Sequence, residues 1–123
     1  MIDLRFFTRD EFVRAPAADS RPVDWWPHLS PRLLVLLDLF RWRLGTPVAV
    51  SPAPGALGRR QGAGESQHNI DRWGEVRAGD IMPEWHDPSA SDMAAAVRLA
   101  RDCGFTGVGI YPHWRPRPGL HLD

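Results

Sequence analysis

The sequence predicts an α+β fold, a small antiparallel sheet with flanking helices, from three observations. Two stretches carry apolar residues at helical spacing, Pro31 to about Arg43 and a later one ending at Cys103. Four short stretches of strand character stand beside them: Pro47–Ser51, Val76–Met82, Thr106–Tyr111 and Leu120–Asp123. Finally, 123 residues and 13.9 kDa, 43% hydrophobic and 24% charged, suffice for one modest core over residues 1–123 and not for two.

Taken in order, the chain opens with a short helical element over Phe6 to Arg14. Thr8 stands as N-cap with Glu11 three residues on, the capping-box spacing, ahead of Phe12 and Val13. Ala15 to Pro27 holds Pro16, Pro22 and Pro27 among small and polar residues and reads as loop, interrupted by Trp25 and Trp26 as a lid on the core. Ser30 followed by Pro31 starts the main core helix, because a hydroxyl caps orphan amides and proline at the first position forfeits no hydrogen bond. Leu33, Leu36, Leu37 and Phe40 form its apolar stripe, and Gly45 ends it in a left-handed conformation.

Pro47–Ser51 is the first strand. From Pro52 to Gly64 the composition shifts to Pro, Gly, Ala and Arg with no periodicity, a surface loop with functional potential. Val76–Met82 returns to strand character, after which Asp87, Ser89 or Ser91 caps a second helix through Met93, Val97 and Ala100 to Cys103, closed by Gly104. Thr106–Tyr111 and Leu120–Asp123 are strands whose connection, Pro-His-Trp-Arg-Pro-Arg-Pro-Gly, has hairpin character.

The 15 basic residues, all arginine, balance 15 acidic ones, which argues against a nucleic-acid partner. The longest apolar run, Leu33–Leu37, falls far short of the roughly 20 residues of a membrane span. Asp3, Arg5, Arg9, Asp10 and Glu11 crowd the N-terminus without an apolar segment, so no signal peptide is expected. Cys103 is alone and falls on the apolar stripe of the second helix, where a small buried thiol is the expectation.

Of the five histidines, His68 (Glu-Ser-Gln-His-Asn) and His121 (Gly-Leu-His-Leu-Asp) sit in polar or glycine-flanked contexts unlike a core. His28 and His86 flank helix starts and are expected at the surface or as caps. Two imidazoles and one carboxylate make the minimal catalytic zinc set, which leaves the fourth tetrahedral position to water. By itself Asp80 could equally be an ordinary carboxylate at a strand end, and His113 could pack in the hairpin beside Trp114.

Order and context add a resemblance. Ser66-x-His68 leading to Ala78-x-Asp80 resembles the Ser-x-His-x-x-Gly-x-Ala-x-Asp signature of the D-alanyl-D-alanine carboxypeptidase-like zinc peptidases. These are peptidoglycan hydrolases of the group that includes lysostaphin-type enzymes and the hedgehog fold, many of them phage-encoded. Gly107-Val-Gly109-Ile-Tyr111-Pro112 followed by Gly119-Leu-His121-Leu-Asp123 is similar to the family's closing segment. Asp10-Glu11-Phe12 and Arg43-Leu-Gly-Thr-Pro-Val48 also stand in the family's order, so the resemblance covers nearly the whole chain.

The resemblance implies His68, Asp80 and His121 as ligands of Zn2+, with Ser66 and Asp123 beside them. Zinc would polarise a scissile carbonyl and lower the pKa of its water while a carboxylate or histidine takes the proton. His121 and Asp123, two apart on a strand, face one side, which makes Asp123 the first candidate for that base and His113 the second; a frayed terminus is the plain alternative for Asp123. Ser66, Arg115 and Arg117 are the candidates for holding substrate, the arginines through carboxylates of a peptidoglycan stem peptide, although a solvated face is their ordinary role. The expected setting is synthesis in a bacterial cytoplasm and action at the cell wall or from a virion.

The chain also departs from the family. His68 and Asp80 are farther apart, as if Ile70–Trp73 were inserted beside the metal. The family's Ser-Gly-Tyr-Arg segment is replaced by Ser51-Pro-Ala-Pro54, and Pro116, Arg117 and Pro118 stand where many relatives have a glutamate. These departures motivate the alternative, an inactive descendant of the fold serving as a phage structural or wall-binding component.

Overall fold

A computed structural model describes residues 2–60 and 63–123. Residues 61 and 62, part of the loop expected over Pro52–Gly64, lie outside the described residues.

The architecture is mixed helix and sheet, with two antiparallel sheets. Strands β1 (Val13–Arg14) and β2 (Val23–Asp24) form a short ribbon, while β3 (Val48–Val50), β4 (Gly79–Pro83), β5 (Val108–Tyr111) and β6 (Gly119–Leu122) form the main sheet in the order β3-β4-β6-β5. Helices α1 (Pro31–Leu44), α2 (Ile70–Trp73) and α3 (Ala90–Cys103) complete it. No helix among the described residues is long and apolar enough to cross a membrane.

Local chemistry sets the helix ends. The Ser30 hydroxyl accepts from the Leu33 amide at 3.3 Å, Pro31 begins α1, and Gly45 closes it at φ 72°. Among the three caps proposed for α3 the chain uses Ser89, in a reciprocal box with Asp92 (3.0 and 2.9 Å). The opening helical element is a single 3-10 turn, Arg9–Phe12, because β1 begins at once and pairs with β2. Its Thr8–Glu11 capping box is present.

The core fills the space between α1, α3 and one face of the main sheet. Leu33, Leu34, Leu37 and Phe40 of α1 meet Ala96, Ala100 and Cys103 of α3 above Val48, Val50, Ile81, Leu120 and Leu122. Leu34 is buried in the core, whereas Leu36, expected there, is only partly buried and packs beside Gly104. Trp25 is a core residue at 1% exposure, and its indole N–H donates to the Arg14 carbonyl at 2.7 Å.

The register of β4 on β6 matters most for the site. Gly79 lies opposite Leu122, Asp80 opposite His121 and Ile81 opposite Leu120. Side chains alternate along a strand, so Ile81, Leu120 and Leu122 enter the core while Asp80 and His121 share the opposite face. The strand expected over Val76–Met82, observed as β4, starts later, at Gly79; Val76 instead pairs alone with Leu29, whose segment passes in parallel.

Candidate metal centre

His68, Asp80 and His121 come from three separate stretches of chain and converge. One ligand atom from each lies within 4.8 Å of the others, and among the described residues they form a group that could hold a metal ion. His68 Nε2 is 3.1 Å from His121 Nδ1 and 3.2 Å from Asp80 Oδ1, and His121 Nδ1 is 3.0 Å from Asp80 Oδ1. Donors at the usual metal distance of about 2.1 Å in a tetrahedron stand roughly 3.4 Å apart. The triangle is therefore close to the size a small cation would hold.

Each ligand is anchored by backbone. Asp80 donates its amide to the Ala56 carbonyl (2.8 Å) and accepts at its own carbonyl from Ser51 (2.9 Å). His68 sits on a loop stitched to a second one, with Arg59 N donating to His68 O at 2.9 Å and Ile70 N to Arg59 O at 3.1 Å. Ser66 folds the approach to it: its hydroxyl accepts from the His68 amide at 3.2 Å. Ser66, expected to meet substrate, is thus engaged in positioning a ligand. Ile70–Trp73, read as an insertion, is the short helix α2, capped by Asn69 and closed by Gly74 at φ 73°.

The outer contacts fix which ring nitrogen faces the centre. His68 Nδ1 lies 2.6 Å from the Leu57 carbonyl, which can only accept, so that nitrogen carries the proton and a neutral ring turns its Nε2 lone pair inward. His121 Nε2 lies 2.7 Å from Asp123 Oδ2 and donates to it, which leaves Nδ1 facing Asp80. Two imidazole lone pairs and a carboxylate oxygen then point at one another, an arrangement that needs a positive charge between them.

Without a metal, a proton supplies that charge. Burial opposes the charged form of His121, but hydrogen bonds and charge from Asp80 and Asp123 reverse this and raise its pKa above 6.5. Burial likewise pushes the Asp80 carboxyl up, and hydrogen bonds from His121 and His68 outweigh it, leaving the value below 3.8. His68 is the most enclosed member at 5% side-chain exposure, against 20% for Asp80 and 23% for His121. Solvent therefore reaches the group from the Asp80–His121 side.

Asp123 is not frayed: its amide donates to Gly107 O at 2.8 Å, and its carbonyl accepts from Thr106 and Gly107 at 3.0 and 3.2 Å. Its carboxylate, expected as the base, is occupied on the His121 nitrogen that faces away from the ligand cluster. A cleft of about 410 Å³ lined by Arg32, Gln67, Arg77 and Asp123 borders that side. His113 is exposed in the β5–β6 hairpin and does not belong to the metal-ligand group. Arg115 and Arg117 line a different cleft, which none of the three ligand residues borders.

Sequence reasoning missed two contributors. The Leu57 carbonyl orients His68, and no sequence pattern identifies a backbone acceptor. Tyr111 and Trp114 stack with centroids 4.4 Å apart at 3° and stand on the ligand-bearing side of the sheet. Tyr111 covers Gly109, the residue opposite His121, and Trp114 covers Gly119; a Cβ would meet their rings at 3.0 and 2.6 Å. The Gly-x-Gly-x-Tyr spacing was the available signal, since alternate glycines clear one face of a strand.

The chain matches no protein-family model, no curated protein and no solved structure.

Proposed function

We propose that the chain is a zinc-dependent peptidase of hedgehog/D-Ala-D-Ala carboxypeptidase-like fold that hydrolyses a peptide bond in the stem peptides of bacterial peptidoglycan. One observation carries the reading: three donors of the His, His, Asp type converge with their tautomers set by Leu57 and Asp123, and the group is exposed on one side. A structural zinc site is closed by four protein ligands, whereas a catalytic one keeps a position open. The donor set suits zinc, which takes imidazole nitrogen and carboxylate oxygen. The resemblance of Ser66-x-His68, Ala78-x-Asp80 and Gly119-Leu-His121-Leu-Asp123 to the peptidoglycan peptidases supplies the substrate class.

Zinc held by His68, Asp80 and His121 would supply Lewis acidity to a carbonyl and bring a water's pKa toward about 7. The chain's own residues set the conditions. Leu57 keeps the proton on the outer nitrogen of His68, and Asp123 does the same for His121, so both inner nitrogens are free to ligate. Asp123 in this reading is a positioning residue rather than the base. His113 remains the candidate for moving the proton, from a hairpin that would have to bring it to bound substrate. Action at the cell wall, after release from a bacterial cytoplasm or from a virion, belongs to the same proposal.

Purified peptidoglycan treated with the protein should release free amines, lose that release on chelation and regain it with added zinc. Zinc bound without amine release would overturn the peptidase reading. It would favour instead a metal-holding module descended from the same fold, a reading to which the engagement of Asp123 lends specific support.

A further inference from the structure

One cleft lies away from the candidate metal ligands. It encloses about 600 Å³ between the β5–β6 hairpin, the segment after β4 and Met93 of α3, and its charged lining is Arg115, Arg117, His86 and Asp87. Its walls are stiff, built from Pro88, Pro112, Pro116 and Pro118 with Trp85, whose indole N–H donates to the Pro118 carbonyl at 3.1 Å.

Its charges are unevenly matched. Asp87, the one acid in the lining, stands 3.4 Å from His86, and both side chains are almost fully exposed. Neither Arg115 nor Arg117 forms an ion pair among the described residues. The Nε of Arg117 is moreover buried without any hydrogen-bond partner. A buried guanidinium N–H left unpaired is unfavourable, and native structures place an acceptor at such positions. Guanidinium forks match carboxylates through two parallel N–H···O bonds.

The cleft shares its strands with the metal centre. Pro118 stands just before β6, three residues ahead of His121, and Trp85 follows β4, which carries Asp80. At about 3.4 Å per residue, Pro118 in the cleft wall lies roughly 10 Å along the chain from His121.

We propose that this cleft is a carboxylate-binding subsite in which Arg115 and Arg117 receive an acidic residue of the substrate peptide whose bond is held at the His68–Asp80–His121 centre. The proposal rests on the peptidase reading for its substrate and extends it by assigning where the stem's free carboxylates are held.

The test uses zinc-loaded protein and the stem tripeptide L-Ala-D-Glu-diaminopimelate, as the free acid and with its carboxylates amidated, with inorganic phosphate as the comparison anion. Binding is measured by isothermal titration calorimetry in every variant, and in the wild type also through the Arg117 Nε–H resonance in 1H–15N spectra. The free acid should move that resonance saturably, and the amidated peptide should bind about tenfold more weakly or worse. Arg115→Gln with Arg117→Gln should weaken free-acid binding by about tenfold while keeping one zinc and the wild-type melting temperature. Arg117→Lys, which keeps the charge and loses the Nε–H, should fall between. Asp80→Asn separates the two claims: it should stop hydrolysis and leave peptide binding intact. Arginine-dependent binding without any hydrolysis would sink the peptidase and keep the subsite. Equal binding of acid and amide, equal displacement by phosphate, or unchanged affinity in both arginine variants would overturn the subsite.

Discussion

Asp123 is the residue whose role separates positioning from proton transfer. Its carboxylate holds His121 Nε2 at 2.7 Å, so Asp123→Ala should lower zinc affinity by about 10- to 100-fold in a chelator competition, with the fold retained. Loss of hydrolysis at unchanged affinity would restore Asp123 as the base. Titration of the two shifted ligands gives a second prediction at this scale. Asp80, lowered from 3.8, adds stability that is present above about pH 4 and lost as pH falls through its folded value. His121, raised from 6.5, adds stability that is present below about pH 6.5 and lost as pH rises through its folded value. For these two groups the metal-free protein is most stable between those limits, and its melting temperature should decline on either side. Zinc must displace the His121 proton, so its affinity should be higher at pH 8 than at pH 6, with more protons released on binding at pH 6. The opposite order would count against the assignment. His68 and His121 were readable as candidate ligands because they stand in polar or glycine-flanked contexts where a core histidine has no reason to be, whereas Asp80 came from the resemblance of Ala78-x-Asp80 alone. The engagement of Asp123 was not, since strand alternation gives the side a residue faces and not the atom it binds.

At the scale of the element, the hairpin from β5 to β6 is carved by glycine. A Cβ on Gly107 would fall inside the Asp123 carboxylate, and one on Gly109 or Gly119 would meet Tyr111 or Trp114. Gly107→Ala should therefore push Asp123 off His121 and cost about tenfold or more in zinc affinity, measured by the same competition. Gly45→Ala is the control: its φ of 72° strains alanine by roughly 1 kcal/mol, nothing lies within 4 Å of the new methyl, and zinc binding should not change. Equal effects of the two would remove the argument from Asp123. The long elements were legible, because Ser30-Pro31, Gly45, Ser89 and Gly104 mark helix ends by capping chemistry that survives in any context. The ribbon β1–β2, the turn at Trp26–His28 and α2 were missed, since two to four residues carry no periodicity and form only through tertiary contacts.

For the molecule as a whole, the core stands apart from the candidate metal centre. Phe40, Leu37, Ile81, Leu120 and Trp25 are buried at 0–1% exposure on the far side of the sheet from Asp80 and His121 or beside it, so chelation should leave the chain folded. Saturating zinc, at about a thousand times its dissociation constant, should add roughly 4 kcal/mol and raise the melting temperature on the order of 10 °C. Unfolding on chelation would instead mark a structural zinc protein. Trp25→Ala should cost about 3–5 kcal/mol, and because Gly58 packs directly under that ring, it should also loosen the neighbouring Leu57 carbonyl that orients His68. The α+β class followed from two helical stretches beside four short strand stretches, the last two joined by a connection of hairpin character. The pairing of Asp80 with His121 across β4 and β6 did not, because register is set by long-range packing of Ile81 and Leu120 that no local pattern displays.

The most direct test of the centre is zinc stoichiometry by elemental analysis of purified wild-type protein and His68→Ala after reconstitution, with folding checked by circular dichroism. The arrangement of His68, Asp80 and His121 predicts one zinc per wild-type chain and none in the folded variant. A folded wild-type protein that takes up no zinc, or a variant that keeps it, would contradict the metal centre and every step that depends on it.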